Sequence, residues 1–353
     1  MYAFGYIARS CVAPPNPRLS TEVQTDTATI AGNTRKRESR MHDQGAATAR
    51  TPAAPKCLST VTQLAAALVT GLAAITAPAQ AADKVLHQSR SAFNTLIVNE
   101  DEKGLRVLRF ETDGARQSVV KPGDTDHIEV MYAKAIPIVF AYAPEAKRVL
   151  IVGLGGGTIP MFLRKRLPEL DIDAVELDPA VVEVAKSHFG FREDDRLHAH
   201  VGDGRRFIEG KRAAYDLIIL DAFGANEVPF ALATREFQRS VRRALTPRGI
   251  VVANLWGGLS NPLFPAMVKT YIDTYPQVAV LDLEGVANRL VIAGPWSPLP
   301  DKDEVIRLSR EISTRLQLRT DLAPIIERGL RAPGPDETSA VALTDSRPPR
   351  PGH

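Results

Sequence analysis

The chain has 353 residues, 44% of them apolar and 24% charged, enough for one sizeable core or a large domain with a small one attached. A formal net charge of +3 is too small to argue for a nucleic-acid partner, and much of the excess sits in Arg35, Lys36, Arg37 and Arg40. The two cysteines, Cys11 and Cys57, both lie near the N-terminus, so the rest of the chain has neither a disulfide nor a cysteine-based metal site.

Residues 1–82 read as a leader. The stretch 1–56 is rich in Thr, Ala, Pro and Arg without apolar periodicity, and an apolar run follows at 64–75. That run is too short for a bilayer span, which takes about 20 residues. With basic residues before it and Ala79-Gln80-Ala81 after it, it has the layout of a secretory signal peptide cleaved near Ala81/Ala82. A signal there predicts a periplasmic or secreted protein with no membrane attachment after cleavage. A leader that is merely Ala-rich leaves the protein cytoplasmic. Met41, with Arg50 and Lys56 ahead of the apolar run, gives a more ordinary signal peptide than Met1.

Next comes a small antiparallel β region, 84–125. "TLIVNE", "GLRVLRFE" and "RQSVV" alternate at period two, separated by the turn-forming "DEKG" and "TDGA". A helical segment at 128–141 opens a larger region, 126–330, in which strands alternate with helices. "RVLIVGLG" is a strand, "TIPMFLRKRLP" a helix, "DIDAVELD" a strand, and "PAVVEVAKSHFG" a helix with Pro179 in its first turn. "LHAHVGDG" and "YDLIILDAF" are strands, and "TREFQRSVRRALTPRG" is a helix capped by Thr234. "GIVVANLW" is a strand, "NPLFPAMVKTYIDTYP" a helix, and "QVAVLDLE" with "NRLVIAG" an antiparallel closing pair. This alternation predicts an α/β, doubly wound, mostly parallel Rossmann-like sheet behind the small β region. The tail, 332–353, is Pro-rich and polar and is expected to be disordered.

Ligands of open α/β sheets sit at the carboxyl ends of the strands, and four successive ends here carry suitable chemistry. Gly153, Gly155, Gly156 and Gly157 follow one strand and open a helix, so the backbone there can turn tightly and approach a ligand. Glu176 ends the next strand, where an acid can accept both ribose hydroxyls of a nucleoside. Asp203, followed by Gly204, ends the third and could accept from an adenine amino group, and Asp221 ends the fourth. The glycine loop lacks the G-x-G-x-x-G spacing of dinucleotide folds, and the antiparallel finish suits adenosylmethionine-type folds better.

With these motifs in place, the chain over 91–294 resembles the spermidine synthases (polyamine aminopropyltransferases) and their relatives in the class I adenosylmethionine-dependent fold. The residues that carry the resemblance are "SAFNTLIV", "FETDGARQS", "KRVLIVGLGGGT", "AVELDPAVVEVAKSHF", "VGDGRRFI", "YDLIILDAF" and "LATREFQRSVRRALTPRGIVV". It implies that Gly153, Gly155, Gly156, Gly157, Glu176, Asp203 and Gly204 bind an adenosyl moiety and that Gln117 lies near the sulfonium. It further implies no tightly bound cofactor, decarboxylated S-adenosylmethionine or S-adenosylmethionine as co-substrate, a small-molecule amine as acceptor, and a homodimer formed through the front β region.

The chain also departs from that family. A motif like D-S-T-D-P ends the fourth strand in aminopropyltransferases, its second Asp being the general base. Laid without gaps from Asp221, that Asp falls on Gly224. Gly155 replaces the acid of G-G-D-G-G, and a Tyr–His pair is not evident in "DHIEVMYAKAI". Glu227 is the best local substitute base beside Asp221; Asp126, His127 and Glu129 are alternatives from the preceding segment. His188, His198 and His200 lack partners at metal-ligand spacing and are read as structural or surface residues, and Trp256 as a pocket-wall or core residue, with core preferred. Three functions follow: aminopropyl transfer, methyl transfer on the same scaffold, or nucleoside binding without catalysis.

Overall fold

The computed structural model describes residues 83–112, 114–222, 228–296 and 298–348. The expected signal peptide and its expected cleavage near Ala81/Ala82 lie outside the described residues, as do Gly224 and Glu227.

The front β region is a four-stranded antiparallel meander of β1 (Lys84–Arg90), β2 (Thr95–Glu100), β3 (Arg106–Arg109) and β4 (Ser118–Val120). Its first strand, whose side chains are largely exposed, lacks the clean alternation that marks the others. The expected helix at 128–141 divides at Pro137 into α1 (Met131–Ala135), a 3₁₀ turn and α2 (Val139–Tyr142).

The main sheet has eight strands in the order β12-β10-β11-β9-β8-β5-β6-β7. Its parallel part is β5 (Arg148–Val152), β6 (Asp171–Glu176), β7 (Leu197–Val201), β8 (Tyr215–Leu220) and β9 (Leu245–Trp256). The antiparallel finish is β10 (Gln277–Asp282), β11 (Asn288–Gly294) and the short β12 (Leu330–Arg331). Connecting helices are α3 (Thr158–Arg166), α4 (Pro179–His188), α5 (Gly204–Glu209), α6 (Arg235–Ala244) and α7 (Phe264–Ile272). Helix α6 stops at Ala244 rather than running to Gly249, because Pro247 cannot continue a helix and the chain enters β9. Beyond the sheet, α8 (Lys302–Arg315) and α9 (Ala323–Gly329) bury Val305, Ile312 and Ile326 in the core on one face.

The strands run apolar because both faces are covered. Val149, Ile151, Leu217 and Ile219 point into one core, while Leu150, Val152, Ile218 and Leu220 point into the other with Phe237 and Phe264. Helix α4 does double duty. Val182 and Ala185 face the main sheet, and Val181 and Val184 pack against Leu96, Val98, Leu108 and Phe110 of the meander. That shared helix fixes the front sheet over the carboxyl ends of the parallel strands.

The tail corrects the expectation of disorder, since 332–348 is folded. Helix α10 (Pro335–Ser339) precedes Ala342 and Leu343, both buried. Leu343 N donates to Thr270 Oγ1 at 2.9 Å, and its carbonyl accepts from Arg235 N, in the first turn of α6, at 2.9 Å. Two apolar side chains in a Pro-rich segment are too few to show in composition, yet they suffice to dock a segment whose backbone bonds are also met. Leu343→Ala is expected to lower the unfolding free energy by about 2 kcal/mol in a urea titration; an unchanged midpoint would mean the tail is not held.

Candidate active site

Strand β5 is bordered by β6 on one side and β8 on the other, with crossovers leaving to opposite sides, so the sheet's switch point lies at its carboxyl end. A cavity of about 320 Å³ opens there, large enough for a nucleoside-sized ligand. Gln117, Gly153, Gly155, Glu176, Asp203, Gly204 and Asp221 all line it. Gly156 and Gly157 do not reach its wall. They are packing positions, where an added Cβ would lie 2.7 Å from the Phe189 ring and 2.5 Å from the Phe191 ring.

The glycine loop is shaped by contacts that admit no side chain. Gly153 has φ +99°, and a Cβ there would meet the Asp221 carbonyl oxygen at 2.3 Å. Gly155, at φ +53°, faces Ser118, whose Oγ would lie 2.6 Å from an added Cβ. That hydroxyl accepts from Gly156 N at 2.8 Å, tying β4 of the front sheet to the loop. Ser118 thus fills the space that a side chain at Gly155 would enter.

Glu176 turns its carboxylate to the same loop. Oε2 accepts from Leu154 N at 2.9 Å and Oε1 from Asp178 N at 3.0 Å. Burial raises its pKa, opposed by the backbone donors of Asp178, Leu154 and Gly155. Each carboxylate oxygen has two acceptor sites, so capacity remains for ribose hydroxyls. Asp203 caps α5, accepting from Arg206 N at 3.0 Å, and Gly204 lets that helix approach within contact of Val152.

Asp221 is half-buried and lines the cavity. Asn254 Nδ2 donates to Oδ1 at 2.9 Å and Tyr132 Oη to Oδ2 at 3.2 Å. Asn288 Nδ2 in turn donates to Asn254 Oδ1 at 2.9 Å, which leaves the Asn254 amide only its N–H group to offer the carboxylate. Burial pushes the Asp221 pKa from 3.8 up to about 7; the two donors pull it down and the charge of Glu176 pushes it up. Tyr132 is driven well above its ordinary pKa, chiefly by burial and then by Asp221, and stays protonated. The group is thus poised between acid and base near neutral pH.

The alternative bases are engaged elsewhere. Asp126 pairs with Lys165 at 2.9 Å and Arg166 at 2.8 Å, and His127 pairs with Glu129 at 3.0 Å. None of the three lines the cavity. His200 holds Asp173 at 2.7 Å on the sheet flank. Trp256 is half-buried at the end of β9. Sequence reasoning missed Ser118, Tyr132, Asn254 and Asn288. Asn254 did leave a signal, a polar residue inside the apolar run "VVANLW" with 2% exposure. Tyr132 left none, as no spacing ties it to Asp221.

A model of the spermine/spermidine synthase domain matches residues 129–257. The polyamine aminopropyltransferase of Chromobacterium violaceum is 31% identical over 209 residues, 59% of this chain and 79% of that protein. The human eEF1A lysine and N-terminal methyltransferase is 30% identical over 212 residues, 56% of this chain but only 28% of that larger protein. Among solved structures, a probable spermidine synthase from Corynebacterium glutamicum superposes with a TM-score of 0.60 at 18% identity, covering 73% of this chain and 96% of that one. Fold and relatives together define a transferase on the class I methyltransferase-like scaffold with an added four-stranded sheet in front. Within that class, the chain belongs to the spermidine synthase family.

Two stability measurements check this geometry. Gly155→Ala is expected to cost about 2 kcal/mol or more, from the left-handed backbone and the Ser118 contact together, with part recovered in Gly155→Ala/Ser118→Gly. Asp221 is neutral in the folded state over a range where the unfolded chain is charged. Its stabilising contribution is therefore full below pH 3.8 and lost as pH rises to about 7. The loss is on the order of 4 kcal/mol at most. Urea midpoints of Asp221→Asn across that range should lack this slope.

Proposed function

We propose that the protein transfers the aminopropyl group of decarboxylated S-adenosylmethionine to a small amine such as putrescine, releasing methylthioadenosine. The observation that carries this reading is Asp221, a carboxylate with a pKa near 7 at the end of a nucleoside-sized cavity, held by Tyr132 and Asn254. Glu176 would take the ribose hydroxyls, Asp203 the adenine amino group, and Gln117 would flank the sulfonium. The acceptor attacks as the free amine. A C–N bond forms as the C–S bond breaks, the bonding pair returns to sulfur, and Asp221 takes the proton of the amine. Glu227 stands as a second candidate base on sequence grounds. The reading keeps the homodimer through the front sheet and export by the signal peptide as parts of the proposal.

Methyl transfer on the same scaffold is the second reading. The steric exclusion of an acid at Gly155 favours it, because the family's carboxylate for a cationic substrate has no place there. A nucleoside-binding protein without catalysis is the third.

The deciding assay incubates the full chain with putrescine and decarboxylated S-adenosylmethionine, and separately with S-adenosylmethionine and a panel of amines, with products followed by mass spectrometry. Methylthioadenosine formed only with amine present is the expected result; S-adenosylhomocysteine would mean methyl transfer. Neither product, with no nucleoside bound, would overturn the catalytic reading. The rate should rise with pH through about 7 as Asp221 ionises. Asp221→Asn should lower kcat by about a hundredfold or more and remove that limb. A limb that persists in Asp221→Asn but vanishes in Glu227→Gln would move the base to Glu227.

A further inference from the structure

Arg205 begins one residue past Gly204 and lines the cavity. Its guanidinium joins three parts of the chain. Nη1 and Nη2 donate to the two carboxylate oxygens of Asp345 at 2.9 and 2.6 Å, Nη1 also donates to the Ala231 carbonyl at 3.0 Å, and Nε donates to Glu209 at 3.0 Å. Ala231 and Leu232, in the 3₁₀ turn Phe230–Leu232, line the same cavity. One fork thus sets the distance between the start of α5 and the 230–232 turn, two parts of the cavity wall.

Glu209 cannot set that geometry alone. It lies one turn along the same helix and offers a single acceptor. Asp345 comes from elsewhere and accepts from both terminal nitrogens, an arrangement that fixes the plane of a guanidinium. Asp345 is itself held firmly. Its N–H donates to Glu236 Oε2 at 3.0 Å, and Leu343, two residues earlier, is anchored to Thr270 and Arg235. With two carboxylates on one guanidinium, the wall presents no uncompensated positive charge, which fits the neutral base of a nucleoside rather than a phosphate.

We infer that Asp345 is a positioning residue of the co-substrate cavity: by fixing Arg205 it holds the 230–232 turn against the start of α5, so that the C-terminal tail completes the wall that receives the nucleoside. The inference rests on the nucleoside-binding reading above.

The test uses the full chain and calorimetric titration with methylthioadenosine and with S-adenosylhomocysteine, the nucleoside products of the two candidate reactions. Asp345→Asn is expected to raise Kd about tenfold, less than the hundredfold that misplacement at the reacting atoms can cost. Asp345→Glu should recover part of the loss. Because Asp345 acts through Arg205, adding Asp345→Asn to Arg205→Lys should weaken binding no further. Wild-type affinity in Asp345→Asn, or a loss that adds in full to that of Arg205→Lys, would overturn the inference and leave the nucleoside reading standing. Leu343→Ala, which loosens the anchor that holds Asp345, is expected to weaken binding in the same direction. A wild-type chain that binds neither nucleoside would remove both readings together.

Discussion

The close approach of the loop after β5 to the end of β8 governs the rest of the site. Gly153 lies so near the Asp221 carbonyl that any side chain would collide with backbone, and backbone cannot swing aside. The approach closes the floor of the cavity and turns the loop's amides toward Glu176. It also leaves Asp221 enclosed by Tyr132 and Asn254. The raised pKa of Asp221 follows from this enclosure, since burial strips much of the water from its charge and two donors only partly replace it.

Most of the architecture was legible because apolar periodicity and strand–helix alternation are local signals. The strand ends at Gly153, Glu176, Asp203 and Asp221 converge on one cavity as the parallel order requires. What escaped was set by contacts distant in sequence. Tyr132 meets Asp221 across 89 positions and Ser118 meets Gly156 across 38, and neither pairing has a local signature. Gly156 and Gly157 illustrate the opposite error, for a glycine beside a ligand loop looks the same in sequence whether it faces the ligand or a phenylalanine ring. The tail misled because composition averages over a segment, whereas docking depended on Ala342, Leu343 and Asp345.

Ser118 on β4 fills the space beside Gly155 and holds the loop through Gly156 N. The front sheet therefore acts as a structural brace for the glycine loop, and the sheet is itself braced by α4. The Ser91 hydroxyl reinforces this by donating to Asp178, a fully buried carboxylate two residues past Glu176.

The chain of bonds from Asn288 through Asn254 to Asp221 and Tyr132 has a direction. Asn288 can only donate to the Asn254 carbonyl, so Asn254 can only donate onward, and the first two links are locked. The phenolic hydroxyl of Tyr132 is the one member free to rotate. When Asp221 is charged, that O–H points at the carboxylate. When Asp221 takes up a proton on the same oxygen, the hydroxyl turns away and offers its hydrogen to the cavity, which Tyr132 also lines. A bound molecule would then meet an acceptor in one protonation state and a donor in the other, so the site exposes a single molecular bit that reports the charge of a carboxylate behind it.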